Sequence, residues 1–327
     1  MARIIITGAS GFIGTNLLEL FLRDPSDEVL NLDIVEPRCP THRPYWREVD
    51  VRNLEQLAKT VCGFEPDYIF HLAARTDLNG NHLEDYDSNT VGVANVVEVA
   101  AKLPQLQRVV FASSLLVCKL GYRPVHDLDF CPDTVYGESK VVGEKIVRLQ
   151  AQGLPWVIVR PTSIWGPWFA EPYKNFFEAI ERGRYVHPSA AGTTRSFGFV
   201  LNTVHQLECI CSANGEDVVG MMFYLADYEP LNLRQWANII QKRLGVKPIK
   251  SISSSILKAV ALVGDGFQFI GVSNPPLTSR RLRNLLTDAV YDVSALKAIC
   301  APLPYSLSDG VEITLNWLKR GQSAVSK

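Results

Sequence analysis

Thr7-Gly8-Ala9-Ser10-Gly11-Phe12-Ile13-Gly14, near the start of the chain, is the stretch whose reading decides the fold. An apolar, isoleucine-rich run, Arg3–Thr7, precedes it, and a segment of helical periodicity, residues 12–23, follows. Glycine at 8 allows a tight turn at the strand end. At 11 it lets the backbone approach a pyrophosphate, and at 14 it lets the helix pack close on the strand. Backbone N–H groups at the start of that helix then face the phosphates, and the helix dipole adds to the attraction. A glycine motif alone carries little weight. This one has the strand before it and the helix after it, and it predicts a dinucleotide site.

Outward from that turn, short apolar runs alternate with longer helical stretches. Residues 29–33, 68–72, 108–113 and 156–160 suit strands of a sheet covered on both faces. Residues 54–61, 92–103 and 136–152 carry helical periodicity between them. That rhythm predicts an α/β fold, a doubly wound parallel sheet of the Rossmann type. After Pro161 the texture changes: Gly166-Pro167-Trp168, Pro172 and Gly183 interrupt the pattern, and residues 188–194 read as an exposed loop. Helices are expected near 175–182, 233–244 and 308–319. The division predicted is residues 1–165 as the dinucleotide-binding domain and 166–327 as a smaller, interleaved C-terminal α/β substrate lobe. A late strand near 197–200 is expected to return to the main sheet.

Bulk composition narrows the function classes. The 327 residues are 47% hydrophobic and 20% charged, as in an ordinary soluble protein, and the formal net charge is -1. That charge gives no general pull toward nucleic acid or acidic membranes. Seven cysteines lie scattered without paired metal spacing or the density of a secreted scaffold, so they read as reduced thiols and no metal site is expected. The first apolar residues run at once into glycine-rich sequence, as a strand does and a signal peptide does not. Residues 256–271 are apolar but interrupted by Lys258, Asp265 and glycines, short of the roughly 20 apolar residues a membrane span needs. They read as a helix and loop at a lobe surface. The expectation is a cytoplasmic protein with neither membrane nor nucleic acid as partner.

Asp33 ends the second strand, about 20 residues beyond the glycines. A carboxylate there accepts hydrogen bonds from ribose hydroxyls and repels a 2′-phosphate, which favours NAD over NADP, although Arg38 lies nearby. Asp50-Val51 is placed to bracket the adenine. His71-Leu72-Ala73-Ala74 ends a strand with small residues that leave room for the cofactor, and His71 itself reads as a packing or hydrogen-bonding residue. Ser113-Ser114 closes the fifth of these strands. Downstream, Tyr136 and Lys140 stand four apart on a predicted helix and so share a face. An ammonium beside a phenol favours the phenolate. Tyr136 could then take a hydroxyl proton while hydride leaves the same carbon for a nicotinamide, with Ser114 holding the substrate oxygen and Lys140 orienting the cofactor ribose.

The order TGASGFIG, Asp33, Asp50-Val51, HLAAR, Asn89-TVG, FASS, YGESK and RPTSIWGP resembles the extended short-chain dehydrogenase/reductase family, in its NAD-dependent epimerase/dehydratase branch. The resemblance covers nearly the whole chain and is strongest over the first 167 residues. It implies NAD as cofactor, Ser114, Tyr136 and Lys140 as the catalytic trio, and a nucleotide-sugar substrate. It also implies cofactor contacts from Gly8, Gly11, Phe12, Ile13, Gly14, Asp33, Asp50, Val51, Leu72, Ala73, Ala74, Arg75, Asn89, Ser113, Tyr136, Lys140 and Thr162. In the second half, Arg195 is similar to an arginine that holds the nucleotide diphosphate, Asn175 to a substrate-binding asparagine, and Arg281 to a second diphosphate-binding arginine. A homodimer through the helices near 92–103 and 136–152, and a place in polysaccharide biosynthesis, follow from the same resemblance.

Departures from the family pattern bear on the reaction. Sugar 4,6-dehydratases carry an Asp-Glu pair where Leu115-Leu116 stands here, and leucine cannot transfer a proton. Decarboxylases carry a glutamate at the Leu116 position, and epimerase-reductases a cysteine at the Leu115 position. What remains is oxidation at one carbinol and return of hydride. If the keto-sugar turns over between the steps, the product is the C4 epimer. If it leaves, the enzyme is an NAD(P)-dependent sugar or ketone reductase or dehydrogenase. Asp33 tilts the reading toward an epimerase that keeps its NAD. Ser163 and Leu201-Asn202 depart from the galactose epimerase pattern and leave the sugar open. A non-catalytic dinucleotide-sensing regulator is the alternative outside enzymes.

Overall fold

A computed structural model of the chain describes residues 1–188, 192–269 and 277–325. The first half runs β1 (Arg3–Thr7), α1 (Phe12–Phe21), β2 (Glu28–Asp33), β3 (Trp46–Glu48), α2 (Leu54–Phe64) and β4 (Tyr68–His71). It continues with α3 (Asp87–Ala100), β5 (Arg108–Ala112), α4 (Val135–Gln150) and β6 (Trp156–Pro161). The second half holds β7 (Ser163–Trp165), α5 (Tyr173–Glu181), β8 (His187–Pro188), β9 (Thr194–Arg195), β10 (Phe197–Phe199), α6 (Val200–Ser212) and the one-turn α7 (Gly215–Val218). After these come β11 (Met222–Leu225), β12 (Leu231–Asn232), α8 (Leu233–Leu244), β13 (Ser251–Ile252), α9 (Ser254–Phe269), α10 (Ser279–Leu286), α11 (Ser294–Ile299) and α12 (Leu307–Val325).

Seven strands form one all-parallel sheet in the order β11-β6-β5-β4-β1-β2-β3. Parallel pairing demands crossover helices, and the strands are apolar on both faces because helices cover both. On one face Leu17 and Leu18 of α1 and Val204, Leu207 and Ile210 of α6 pack on Ile4, Ile6 and Phe70. On the other, Leu57 and Val61 of α2, Val96 and Val97 of α3 and Val147 of α4 pack on Ile5, Ile69 and Val109. The strand order reverses between β1 and β4, where doubly wound folds leave a crevice at the carboxyl ends.

The strand foreseen near 197–200 exists as β10 but does not return to the main sheet. It pairs with β7 in a separate two-stranded unit. Phe197 and Phe199 are drawn instead into an aromatic core with Trp165, Phe169, Phe177 and Trp236 in the second half of the chain. The strand that does return is β11, registered on β6 from Met222 opposite Ile158 to Leu225 opposite Pro161. The reading of all seven cysteines as thiols is corrected too: Cys209 on α6 and Cys300 at the end of α11 form a disulfide across a Cα–Cα distance of 5.6 Å. Part of the loop expected over 188–194, and the end of the 256–271 stretch, lie outside the described residues. Among the described residues no helix is long and apolar enough to cross a membrane.

Candidate active site

The glycine turn closes the crevice from below. Gly8 has φ +76°, a region an L side chain rarely adopts, and a Cβ there would lie 2.6 Å from Ala73 N. A Cβ on Gly14 would run into the carbonyl of Gly8, so helix and turn meet without side chains between them. No side chain caps α1 at Gly11, so the first-turn N–H groups, including those of Phe12 and Ile13, are left by helix geometry for another acceptor. An acidic diphosphate fits that need. Asp33 stands beside the turn, its Oδ2 accepting the Ser10 N–H and its Oδ1 the Val35 N–H, each at 3.0 Å. Burial pushes its carboxyl above the ordinary value, against the pull of those N–H groups. These residues suit a dinucleotide with free ribose hydroxyls. Asp50 is ion-paired to Arg52 at 2.7 Å, and Val51 is buried against the α3 side of the sheet.

The exit of β4 lies across the turn. Leu72 N–H donates to the Thr7 carbonyl at 3.0 Å and Ala73 N–H to Thr7 Oγ1 at 3.2 Å. His71 Nδ1 shares Thr7 Oγ1 at 2.8 Å, and burial, with the Lys140 charge adding, lowers its pKa to about 3. It is a neutral hydrogen-bonding residue. Asn89 on α3 is fully buried; its Oδ1 accepts the Arg75 N–H, and its Nδ2 donates to the Arg75 carbonyl and to Ser139 Oγ, all at 2.9 Å. Its side chain therefore fixes the 72–75 loop, including Ala74, against α4.

Ser114 N-caps the short turn Leu115–Val117, accepting the Leu116 N–H at 3.1 Å, and its side chain also bonds the Tyr136 phenol. Thr134 caps α4, which sets the helical register that puts Tyr136 and Lys140 on one face. Both are buried. Burial raises the Tyr136 phenol above 10 and lowers Lys140 to about 8. Lys140 Nζ donates to the Ala112 carbonyl at 2.9 Å, and its charge is supported by Glu144. Thr162 Oγ1 is spent on the Leu225 carbonyl at 2.9 Å, where β6 meets β11.

Sequence reasoning missed the residues beneath the trio. Ser113 Oγ donates to Glu144 Oε1 at 2.5 Å, and Arg160 grips both Glu144 oxygens at 2.8 and 2.9 Å. Both side chains of that ion pair are essentially inaccessible, at 0% and 1%. Arg160 Nη1 also donates to the Tyr224 hydroxyl at 3.1 Å, and Tyr224 stacks on Tyr291 with ring centroids 4.6 Å apart. An arginine inside an apolar strand and a glutamate four residues beyond Lys140 were the available signals, since buried charges come paired.

The residues expected on the substrate side stand on three elements, β9, α5 and α10. Arg195 on β9 donates from Nε to the Thr287 carbonyl at 3.0 Å, while its Nη2 is buried without a partner. The Tyr173 and Tyr291 phenols act on its guanidinium, and burial pulls its pKa down. Asn175 sits exposed in the first turn of α5, and Arg281 is exposed on α10. Leu115 is buried with Tyr224, Ala289 and Tyr291, and Leu116 packs against them, so neither leucine position offers an acid or base.

A doubly wound sheet with an uncapped glycine turn, an acidic residue at the end of β2 and a tyrosine, lysine and serine at its carboxyl edge defines a dinucleotide-dependent oxidoreductase-type enzyme. Residues 4–217 match the model of the NAD dependent epimerase/dehydratase family, and the chain belongs to that family. It is 29% identical to a 3-beta-hydroxysteroid dehydrogenase of Mycolicibacterium neoaurum, over 94% of this chain and 93% of that one. It is 25% identical to an Escherichia coli O157:H7 N-acetyl-alpha-D-glucosaminyl-diphospho-ditrans,octacis-undecaprenol 4-epimerase, over 96% and 94% of the two chains. Its fold matches the crystal structure of UDP-glucuronic acid 4-epimerase from Bacillus cereus in complex with UDP-glucuronic acid and NAD. That match has a TM-score of 0.73 at 18% identity and covers 97% of this chain and 99% of that one. The chain is thus an NAD-dependent enzyme of the group that holds nucleotide-sugar epimerases, dehydratases and hydroxysteroid dehydrogenases.

Proposed function

We propose that the chain inverts a carbinol, at C4, of a sugar carried on a diphosphate, with a nucleotide-sugar as the substrate class. The observation that carries this reading is Arg195: a half-buried guanidinium whose Nη2 is buried and unpartnered suits an acidic ligand, and a diphosphate supplies it. Bound NAD supplies the hydride acceptor and donor. Ser114 holds the substrate oxygen, Tyr136 takes and returns the hydroxyl proton, and Lys140 orients the cofactor ribose. Leucines 115 and 116 offer no second acid or base, so elimination of water has no catalyst there.

A second reading, oxidation of a hydroxysteroid, is favoured by the 29% identity to the Mycolicibacterium neoaurum dehydrogenase along nearly the whole chain. A steroid alcohol leaves Arg195 without an anion. The two readings part in one experiment: incubate the purified protein, without added cofactor, with UDP-, GDP- and dTDP-sugars and resolve the stereoisomers, while a parallel arm follows NADH formation from a 3β-hydroxysteroid and added NAD. Epimers in the sugar arm support the proposal. NADH in the steroid arm with no sugar turnover replaces it. We further propose a homodimer built on α3 and α4, where Val91 and Leu149 are exposed, to be checked by sedimentation.

A further inference from the structure

Away from the catalytic trio, Glu19 on α1 meets Cys39 and His42 of the connection between β2 and β3. A carboxylate oxygen, a thiol sulfur and an imidazole nitrogen there all lie within 4.8 Å of one another. The local sequence sets this geometry. Cys39 stands immediately before the short helical turn Pro40–Tyr45, and its carbonyl accepts the His42 N–H at 3.0 Å. His42 is 3% exposed, and its Nδ1 is buried with no hydrogen-bond partner. A buried polar nitrogen of this kind costs free energy until something binds it. Glu19 accepts the Trp168 indole N–H at 3.1 Å and forms no ion pair among the described residues, Arg23 acting on its charge from further off. Cations close in sequence are engaged elsewhere, Arg38 on the Trp168 carbonyl at 2.8 Å and Arg43 on Glu36 at 3.1 Å.

The donor set selects the ligand. Calcium and magnesium take oxygen ligands, whereas sulfur, nitrogen and oxygen on one ion suit a borderline-soft metal such as zinc. Tetrahedral zinc holds ligand atoms of these types about 3.4–3.6 Å apart, so binding draws the three together by up to about 1.4 Å. Glu19 and Cys39 are half-buried, with side-chain freedom for that movement. Cys39 Sγ also lies 3.0 Å from Thr41 Oγ1, a hydroxyl able to donate to a metal-bound thiolate. We propose that Glu19, Cys39 and His42 form a zinc site, with water in the fourth position. Binding breaks the Cys39 S–H bond, passes its proton to solvent and forms the metal–sulfur bond, with no change of oxidation state. The ion fastens the connection that leaves Asp33 to the helix that starts at the glycine turn, and none of this depends on the choice of substrate. The expectation of no metal weighed cysteine pairs alone, a pattern that Cys39-x-x-His42 with the distant Glu19 escapes. A second group, His205, Cys209 and Cys300, is closed to metal while its two thiols are joined as a disulfide.

The test titrates the full chain, stripped with EDTA and kept free of thiol reductant, first with cobalt(II) and then with zinc. Expected are a thiolate-to-cobalt charge-transfer absorption with the visible bands of a four-coordinate ion, saturation at about one equivalent, and bleaching as zinc displaces the cobalt. Competition with a chromogenic chelator then gives the zinc affinity. Cys39→Ser should remove the charge-transfer absorption. Glu19→Gln, which keeps an acceptor for Trp168, should weaken zinc binding by at least about tenfold. Both positions are half-buried, so the metal-free variants should match the parent in thermal midpoint and NAD binding, while zinc should raise the midpoint of the parent more than that of either variant. Cys62→Ser, which removes a free thiol on α2, should leave the absorption intact. Failure of the parent to take up the ion overturns the proposal, as does charge-transfer absorption that survives Cys39→Ser. Absorption that appears only once the Cys209–Cys300 disulfide is reduced assigns the ion to that group and overturns it too.

Discussion

Replacing Lys140 by methionine should make the protein more stable at neutral pH while removing its activity. Lys140 is 5% exposed, and burial holds its ammonium at about 8 against an ordinary 10.5. The gap corresponds to about 3 kcal/mol of preference for the neutral amine in the folded state. Below pH 8 the amine is charged in both states and the folded protein bears the whole penalty. Between 8 and 10.5 the unfolded chain keeps a proton that the folded one has released, so stability rises with pH; above 10.5 the penalty is gone. Methionine has no such titration. It does forfeit the 2.9 Å bond from Nζ to the Ala112 carbonyl, at about 1 kcal/mol. Lys140→Met should therefore be more stable than the parent by about 2 kcal/mol at pH 7. The advantage should shrink by about 3 kcal/mol as pH rises from 8 to 10.5. Urea unfolding of both proteins across that range measures it, and subtracting the two curves cancels every other titrating group. A difference that stays flat with pH would refute the account of Lys140 as a buried amine.

Three shorter predictions test the rest of the site. Glu144→Gln leaves the inaccessible Arg160 guanidinium uncompensated and should destabilise the fold by about 3–5 kcal/mol in denaturant unfolding, with Glu144→Gln/Arg160→Met recovering most of it; single losses that simply add in the double variant would count against the pair. Tyr136→Phe keeps the ring's packing and should abolish turnover with NAD affinity nearly unchanged in calorimetric titration, a result that normal turnover would contradict. Asp33→Ser removes the negative charge beside the glycine turn and should shift the ratio of NADP to NAD affinity toward NADP by about tenfold or more; paired affinity measurements giving an unchanged ratio would remove Asp33 from cofactor choice.

Much of the frame was readable in advance, for reasons specific to each element. β1, α1 and the turn between them announce themselves because glycines 8 and 14 stand where a Cβ would strike backbone. α8 was read to the residue, from Leu233 to Leu244, since Asn232 caps it and Gly245 ends it in a left-handed turn. β11 was not, because the four residues Met222–Leu225 carry no period of their own and owe their place to the open edge of β6. β10 was seen but sent to the wrong sheet, since its phenylalanines answer to Trp165 and Trp236, partners far away in sequence. The trio's order was legible, its electrostatics less so. Spacing brings Tyr136 and Lys140 to one face, but only packing shows that Lys140 Nζ reaches back to Ala112 and toward Glu144.

That difference matters for how the trio works. Burial disfavours both charges an acid–base cycle needs, raising the phenol and lowering the ammonium. The resting site holds a neutral phenol bonded to Ser114 and an amine whose charge is supported by the Glu144 carboxylate. Glu144 is already shared between Arg160 and Ser113, yet its charge still raises Lys140. The carboxylate thus opposes the burial that would otherwise take Lys140 lower than about 8, keeping it largely protonated at neutral pH. Added positive charge near the phenol when the crevice fills favours ionisation of Tyr136, which burial opposes in the ligand-free protein. A Tyr136 phenol that titrates below its ordinary 10 in the ligand-free protein, followed by ultraviolet difference absorbance against Tyr136→Phe, would contradict this order of events.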